Sequence, residues 1–182
     1  MYPVTRLLLT FARSRFRSPL AAHETSELSF ICRPWDLDMY AEMNNGRILT
    51  LYDIGRFDLS IRCGLLSALF RRRWGFAVAG STIQYRKRIR LFNKVTTHTK
   101  LLSLDEKWIF VEQSMWVRGA AVSSVLLRTC VTGKTGVIPT EDVMEEMGLN
   151  ADETARLQMP LPDWAANWQQ ADKDRPWPPL FR

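Results

Sequence analysis

The chain has 182 residues, of which 46% are hydrophobic and 24% charged, so it can bury one core and is too apolar to be a disordered segment. Three scattered cysteines (Cys32, Cys63, Cys130) and two histidines (His23, His98) argue against a disulfide framework, a zinc site or a histidine-rich metal centre, and point to a reducing, cytoplasmic setting. The formal net charge of +6 is unevenly spread: residues 59–104 carry ten Arg or Lys and no acid, whereas residues 140–174 carry nine acids against Arg156 and Lys173. Such a basic stretch is a footprint for an anionic partner, whether phosphates on a small molecule, nucleic acid or a membrane surface.

The first segment, Tyr2 to Arg17, mixes Val4, Leu7, Leu8, Leu9 and Phe11 with Arg6, Arg13, Arg15 and Arg17. Its apolar run is far shorter than the ~20 residues that span a bilayer, and it has no convincing signal-peptide core. The pattern predicts an amphipathic helix lying on the body, on a partner or, as a peripheral contact, on a membrane surface. A strand is expected over Glu27–Arg33, stopped by Pro34, and then a long helix that starts at Asn44 or Asn45 and runs to about Arg62. That helix is apolar over most of its circumference, with Asp53, Arg56, Asp58 and Arg62 on a narrow face, so it must be enclosed. Gly55 would admit close approach of the sheet.

Beyond Arg73 the pattern changes to β-branched and aromatic runs at Phe76–Arg90, Val95–Ser103, Lys107–Val117 and Ala121–Thr132. Short turns are expected at Phe92-Asn93, Asp105-Glu106 and Arg118-Gly119, which imply antiparallel neighbours. The result is an α+β fold in which a curved antiparallel sheet wraps one long helix. Short helices follow over Glu141–Gly148 and Asp163–Lys173, then a stiff tail at Pro176–Pro179. Trp164, Trp168 and Trp177 are expected to be buried, against the domain or against a second subunit. The chain therefore divides into an amphipathic extension (1–24), a central domain (25–139) and a helical, Pro/Trp-rich tail (140–182).

The segment Trp35-Asp36-Leu37-Asp38-Met39-Tyr40-Ala41-Glu42-Met43-Asn44-Asn45-Gly46 sets acids just ahead of the enclosed helix. Free N–H groups at a helix start can polarise a carbonyl, and a nearby carboxylate can attack an activated acyl group or activate a water. Asp36 and Asp38 could equally be turn residues that bind backbone amides.

This segment resembles the signature of the 4-hydroxybenzoyl-CoA thioesterase superfamily and its relatives, the acyl-acyl-carrier-protein thioesterases. In that family Asp-x-Asp, a few loop residues and Asn-Asn introduce the central helix. The matching residues are Asp36, Asp38, Asn44 and Asn45, followed in the helix by Tyr52 with Arg56. The run Ile83-Gln84-Tyr85-Arg86-Lys87-Arg88 is similar to the family's next strand and turn, and the likeness extends over residues 27–133. It implies the hotdog fold and hydrolysis of acyl-CoA to free acid and coenzyme A, with no metal or redox cofactor, in a homodimer or higher homo-oligomer.

By the same resemblance Asp38 is the nucleophile or general base, the Asn45 amide polarises the thioester carbonyl, and Asn44 holds the turn beside Gly46. Glu42, which stands where the family commonly has His, is a candidate helper. Surface cations would hold the coenzyme A phosphates. Strand alternation assigns Arg86, Arg88 and Arg90 to one face with Lys87 on the other, and Arg71, Arg72 and Arg73 form a second candidate set. Tyr40, Glu42 and Ile48 replace residues common in the family, which favours an alternative: a non-catalytic hotdog protein that binds acyl-CoA or a lipid. No helix-turn-helix or RNA-binding signature accompanies the basic stretch, so nucleic acid is not an expected partner.

Overall fold

The computed structural model describes residues 2–179. In chain order the elements are α1 (Val4–Ser14), β1 (Ser26–Ile31), a 3-10 turn (Pro34–Asp36), α2 (Asn45–Arg62), α3 (Leu65–Arg72), β2 (Gly75–Tyr85), β3 (Lys94–Leu104), β4 (Ile109–Val117), β5 (Ala120–Gly133), β6 (Gly136–Ile138), α4 (Thr140–Met147), α5 (Ala151–Leu157) and α6 (Asp163–Lys173). The strands form one antiparallel sheet in the order β1-β3-β4-β5-β2, with β6 folded back onto the end of β5. Helix α2 begins at Asn45 and ends at Arg62, as its pattern predicts, and the sheet curves around it in the expected hotdog arrangement.

The core is the contact between α2 and the inner face of that sheet. Ile48, Leu51, Tyr52, Ile54 and Leu59 are buried against Val95, Val111, Met115, Val122, Val125 and Leu127, each side chain contributing about 1.5–3 kcal/mol by burial. Gly55 faces the sheet, but the groups it admits are side chains: a Cβ there would lie 2.8 Å from Thr99 Oγ1 and 3.1 Å from Gln113 Nε2. The β4–β5 connection is the two-residue turn Arg118-Gly119, both residues at positive φ, which matches the twist of a tight hairpin. Asp105 closes the β3–β4 turn by accepting the Lys107 and Trp108 amides at 2.8 and 2.6 Å.

Several expectations are corrected. Strand β2 stops at Tyr85, and residues 86–93 do not fold it back onto β3. They carry the chain from the β2 edge across the sheet to β3, the strand beside the opposite edge strand β1, and β2 pairs with β5 instead. Helix α5, not expected from the sequence, is closed by the reciprocal cap of Asn150 and Glu153. Of the three tail tryptophans only Trp168 is partly buried within the chain itself. Trp164 is half exposed and Trp177 is 87% exposed, because α6 turns one face alone to the sheet. Arg71 and Arg72 clamp α3 to α4 through Glu146 at 2.8 and 2.5 Å, and those two hydrogen bonds hold the Glu146 carboxyl below its usual range.

The narrow polar face of α2 is in part sealed from solvent. Asp58 has no exposure. Its carboxylate accepts from Ser14 at 2.5 Å and from Ser26, and pairs with Arg17 at 3.1 Å and Arg62 at 3.5 Å. Asp36, equally buried, pairs with Arg6 at 2.7 Å and Arg47 at 3.3 Å. Two carboxylates thus hold α1 against α2 and the 33–36 turn. Asp58→Ala, which leaves Arg62 buried without its carboxylate, is expected to lower stability by about 3–5 kcal/mol in urea unfolding, and to speed tryptic cleavage at Arg13 and Arg15 by releasing α1.

Candidate active site at the start of helix α2

Residues 37–43 form a small closed loop. Leu37 and Met43 bridge, the Asp38 amide donates to Glu42 O at 2.8 Å, and the Ala41 amide returns to Asp38 O at 3.2 Å with Ala41 in the left-handed region. The loop is bound to the segment after β2: Met43 donates to Ile89 O at 2.8 Å, and Glu42 bridges to Arg90. The Asn44 amide donates to Asp36 O at 2.9 Å. The position of the helix start is therefore set from both sides.

Asn44 is the N-cap. Its Oδ1 accepts the Gly46 amide at 2.9 Å and the Arg47 amide at 3.3 Å, and its own carbonyl accepts Ile48. A Cβ on Gly46 would lie 3.1 Å from that Oδ1, so glycine at this position serves the cap. With Gly46 and Arg47 satisfied, the Asn45 amide is the first-turn N–H left without an acceptor among the described residues.

A groove of about 240 Å³ lies beside Asn45, walled by Asn45 and Ile48 on one side and by Glu42, Met43 and residues 85–89 on the other. Asn45, Glu42, Arg86 and Arg88 are thus brought together as the sequence suggests. Arg90 is not in the groove wall, and Lys87 is, with Tyr85 beside it. The reason is that regular strand ends at Tyr85: where the Arg86 and Lys87 amides both turn to Val122 O, at 2.8 and 3.1 Å, alternation of faces no longer applies.

The acids divide. Asp36 is wholly committed to Arg6, Arg47 and the Arg33 amide, which it accepts at 2.9 Å, and so is a structural group. Asp38 is partly buried at the base of the loop, outside the groove wall. One oxygen accepts the Tyr40 amide at 2.8 Å and the other has no protein partner among the described residues. Glu42 faces the groove with Oε2 2.9 Å from Arg88 Nε. The pair is close but not aligned as a hydrogen bond, which leaves that oxygen buried without a donor.

Further along α2 a second, apolar cavity of about 390 Å³ lies between the helix, α3 and β2, lined by Phe57, Leu66, Leu69, Phe70, Trp74 and Phe76. At its α2 wall are Asp53 and Arg56, which pair with each other, and Arg56 donates to Gln113 Oε1 at 2.7 Å. Burial lowers the Arg56 pKa to about 10, with Tyr2 acting the other way. Gln113 in turn donates to Tyr52 O and Thr99 Oγ1, and the Tyr52 hydroxyl meets Ser123 at 2.7 Å. The Tyr52 and Arg56 pair noted in the sequence is therefore part of a buried network under the helix, not of the groove.

Protein THEM6 of Drosophila melanogaster is 29% identical over 136 residues, which cover 71% of this chain and 70% of the fly protein. Protein THEM6 of Xenopus laevis is 38% identical over 100 residues, 54% of this chain and 48% of the frog protein, so the chain spans about half the length of that relative. Among solved structures, YbaW, a probable thioesterase from Escherichia coli, superposes with a TM-score of 0.60 at 23% identity, covering 66% of this chain and 95% of YbaW. SAV2348 from Staphylococcus aureus, solved in complex with CoA, gives 0.65 at 10% identity over 81% of this chain and 96% of its own. At these identities the structural likeness is one of fold. The sequence profile described as the Thioesterase-like superfamily matches residues 32–169, which span the site loop, α2 and strands β2 to β6, and the chain belongs to that superfamily.

Proposed function

We propose that this chain hydrolyses an acyl-CoA thioester to a free acid and coenzyme A. The observation that carries the reading is the unsatisfied Asn45 amide at the start of α2, on a residue that lines a groove walled by Arg86, Lys87 and Arg88. The thioester oxygen accepts from Asn45 N–H, which draws charge off the carbonyl carbon and stabilises the oxyanion. Asp38 either attacks that carbon, giving an anhydride that water then cleaves, or takes a proton from the attacking water. In both routes the C–S bond breaks and the thiolate of coenzyme A leaves and is protonated. Arg86 and Arg88 take the phosphates, and the acyl chain runs beside α2 toward the apolar cavity, roughly 18 Å along the helix from Asn45 to Phe57 at 1.5 Å per residue.

A second reading, binding of acyl-CoA without turnover, is favoured by one feature: the groove's own carboxylate, Glu42, sits against Arg88, while Asp38 stands outside the wall. Free-thiol release from a panel of acyl-CoAs separates the two, since saturable binding with no thiol release would establish the second. Given turnover, Asp38→Asn is expected to lower kcat by ~10²–10⁴ with little change in KM. Glu42→Gln should cost less, and the reverse order would transfer the base role to Glu42.

Binding of coenzyme A esters should weaken with salt. Arg86→Ala with Arg88→Ala should raise Kd by about tenfold per residue in isothermal titration, and an unchanged Kd would remove this segment from the site.

The site is also proposed to work in a homodimer. Strand β2, eleven residues long, pairs only with β5 among the described residues and exposes Val78 and Tyr85 at its free edge. Two such edges can join across a two-fold axis into one continuous sheet. Val78→Glu, which sets like charges against each other at that axis, is expected to give a monomer in analytical ultracentrifugation.

A further inference from the structure

Helix α1 is inverted with respect to the usual surface helix. The fully buried side chains of this helix are polar, Thr10 and Ser14, with Ser14 on Asp58; half-buried Arg6 pairs with Asp36, and Leu7 and Phe11 are half-buried beside them. The side chains it turns outward are mostly apolar, with Thr5 among them and Arg13 at the margin. Leu8 is 63% exposed and Leu9 55%, Val4 is exposed as well, and Phe16 just past the helix end is 91% exposed. The inward positions recur at helical spacing, so the outward apolar stripe is the remaining face of the same helix and not a frayed end. Exposed Phe70 of α3 extends the patch across a groove of about 310 Å³, whose lining includes Phe11, Arg15 and Leu66.

The charge around this patch has one sign. No acid occurs among the first 23 residues, and Arg13 and Arg15 make no ion pair among the described residues. We infer that the outward face of α1 docks on an anionic lipid surface, the helix lying in the plane of the interface with Leu8, Leu9 and Phe16 inserted and Arg13 and Arg15 on the headgroups. Long cationic side chains flanking an apolar stripe are suited to this, because their stems stay in the apolar layer while their charges reach the phosphates. Eleven residues make a helix of about 16 Å, half the thickness of a hydrocarbon core, so α1 lies on the bilayer and does not cross it.

A second copy of the chain fits the patch less well. A two-fold contact through this face would bring Arg13, Arg15 and Arg17 against their own copies. An acidic soluble partner would answer the arginines but leave a convex apolar ridge without a complementary groove. The inference does not rest on the hydrolase reading, although Phe70 lines both this groove and the apolar cavity beside α2, which places that cavity next to the docked face.

The test is sedimentation of the whole chain with phosphatidylcholine vesicles, with and without phosphatidylserine. Binding is expected with phosphatidylserine, and high salt should reduce it. Leu8→Ser with Leu9→Ser, and separately Arg13→Glu with Arg15→Glu, are each expected to weaken it about tenfold or more while the thermal unfolding midpoint and circular dichroism stay as in the parent. Equal partitioning onto both vesicle types, no partitioning at all, or full binding by both double variants would overturn the inference. So would ultracentrifugation without lipid in which the Leu8/Leu9 variant dissociates an oligomer formed by the parent, because the face would then be covered by a second copy.

Discussion

A carboxylate withdrawn completely from water has to be answered by cations and hydroxyls in fixed positions, and Asp58 imposes that condition on four elements at once. Its partners come from α1 (Ser14), the segment after it (Arg17), β1 (Ser26) and α2 itself (Arg62). Asp36 extends the same constraint toward the site: its side chain holds Arg6 and Arg47, and its carbonyl receives the Asn44 amide. The cap on α2, and with it the direction of the free Asn45 amide, is tied through Asp36 to α1. The amino-terminal extension is thus part of the framework that aims the groove, and not an appendage to a finished domain.

What was legible in the sequence follows from how local each signal is. The start of α2 could be read because an Asn cap acts within three residues, and its enclosure because few apolar positions were missing from its circumference. The Arg118-Gly119 hairpin was equally local. The pairing of β2 with β5 was not, since it depends on residues 86–93 crossing the sheet, and chain adjacency suggested the opposite. Asp58 could not be told from Asp53 by type or spacing: both lie on the same narrow polar face, and only the position of α1 decides which one is sealed. In the site, Asn45, Glu42, Arg86 and Arg88 line one groove beside the Asn44 cap, whereas Lys87 joins them and Arg90 leaves because the strand ends at Tyr85 and not at Arg90.

The network beneath α2 shows how a mostly apolar core tolerates polar groups. Thr99 and Gln113 occupy the space that Gly55 leaves free, and Gln113 spends both ends of its amide, accepting from Arg56 and donating to the helix backbone at Tyr52 and to Thr99. Every hydrogen bond in this set joins helix to sheet or strand to strand, which fixes the rotation of α2 about its axis in a way that interchangeable aliphatic side chains do not. The groove at one end of the helix and the cavity at the other are thereby held in a constant relation.

Helix α6 packs on the outside of the same sheet. Arg128 reaches from β5 to Asp172 at 2.8 Å, with its guanidinium 4.8 Å from the Trp108 ring and 5.9 Å from that of Trp168, over the fully covered pair Phe110 and Leu126. Gly80 of the neighbouring strand leaves room for this clamp, since a Cβ there would lie 3.3 Å from the Asp172 carboxylate. The chain therefore shields the back of its own sheet in cis. On that half of the surface, stacking of one protein back-to-back on another would first require α6 to be peeled away, with a guanidinium and a carboxylate stripped of each other.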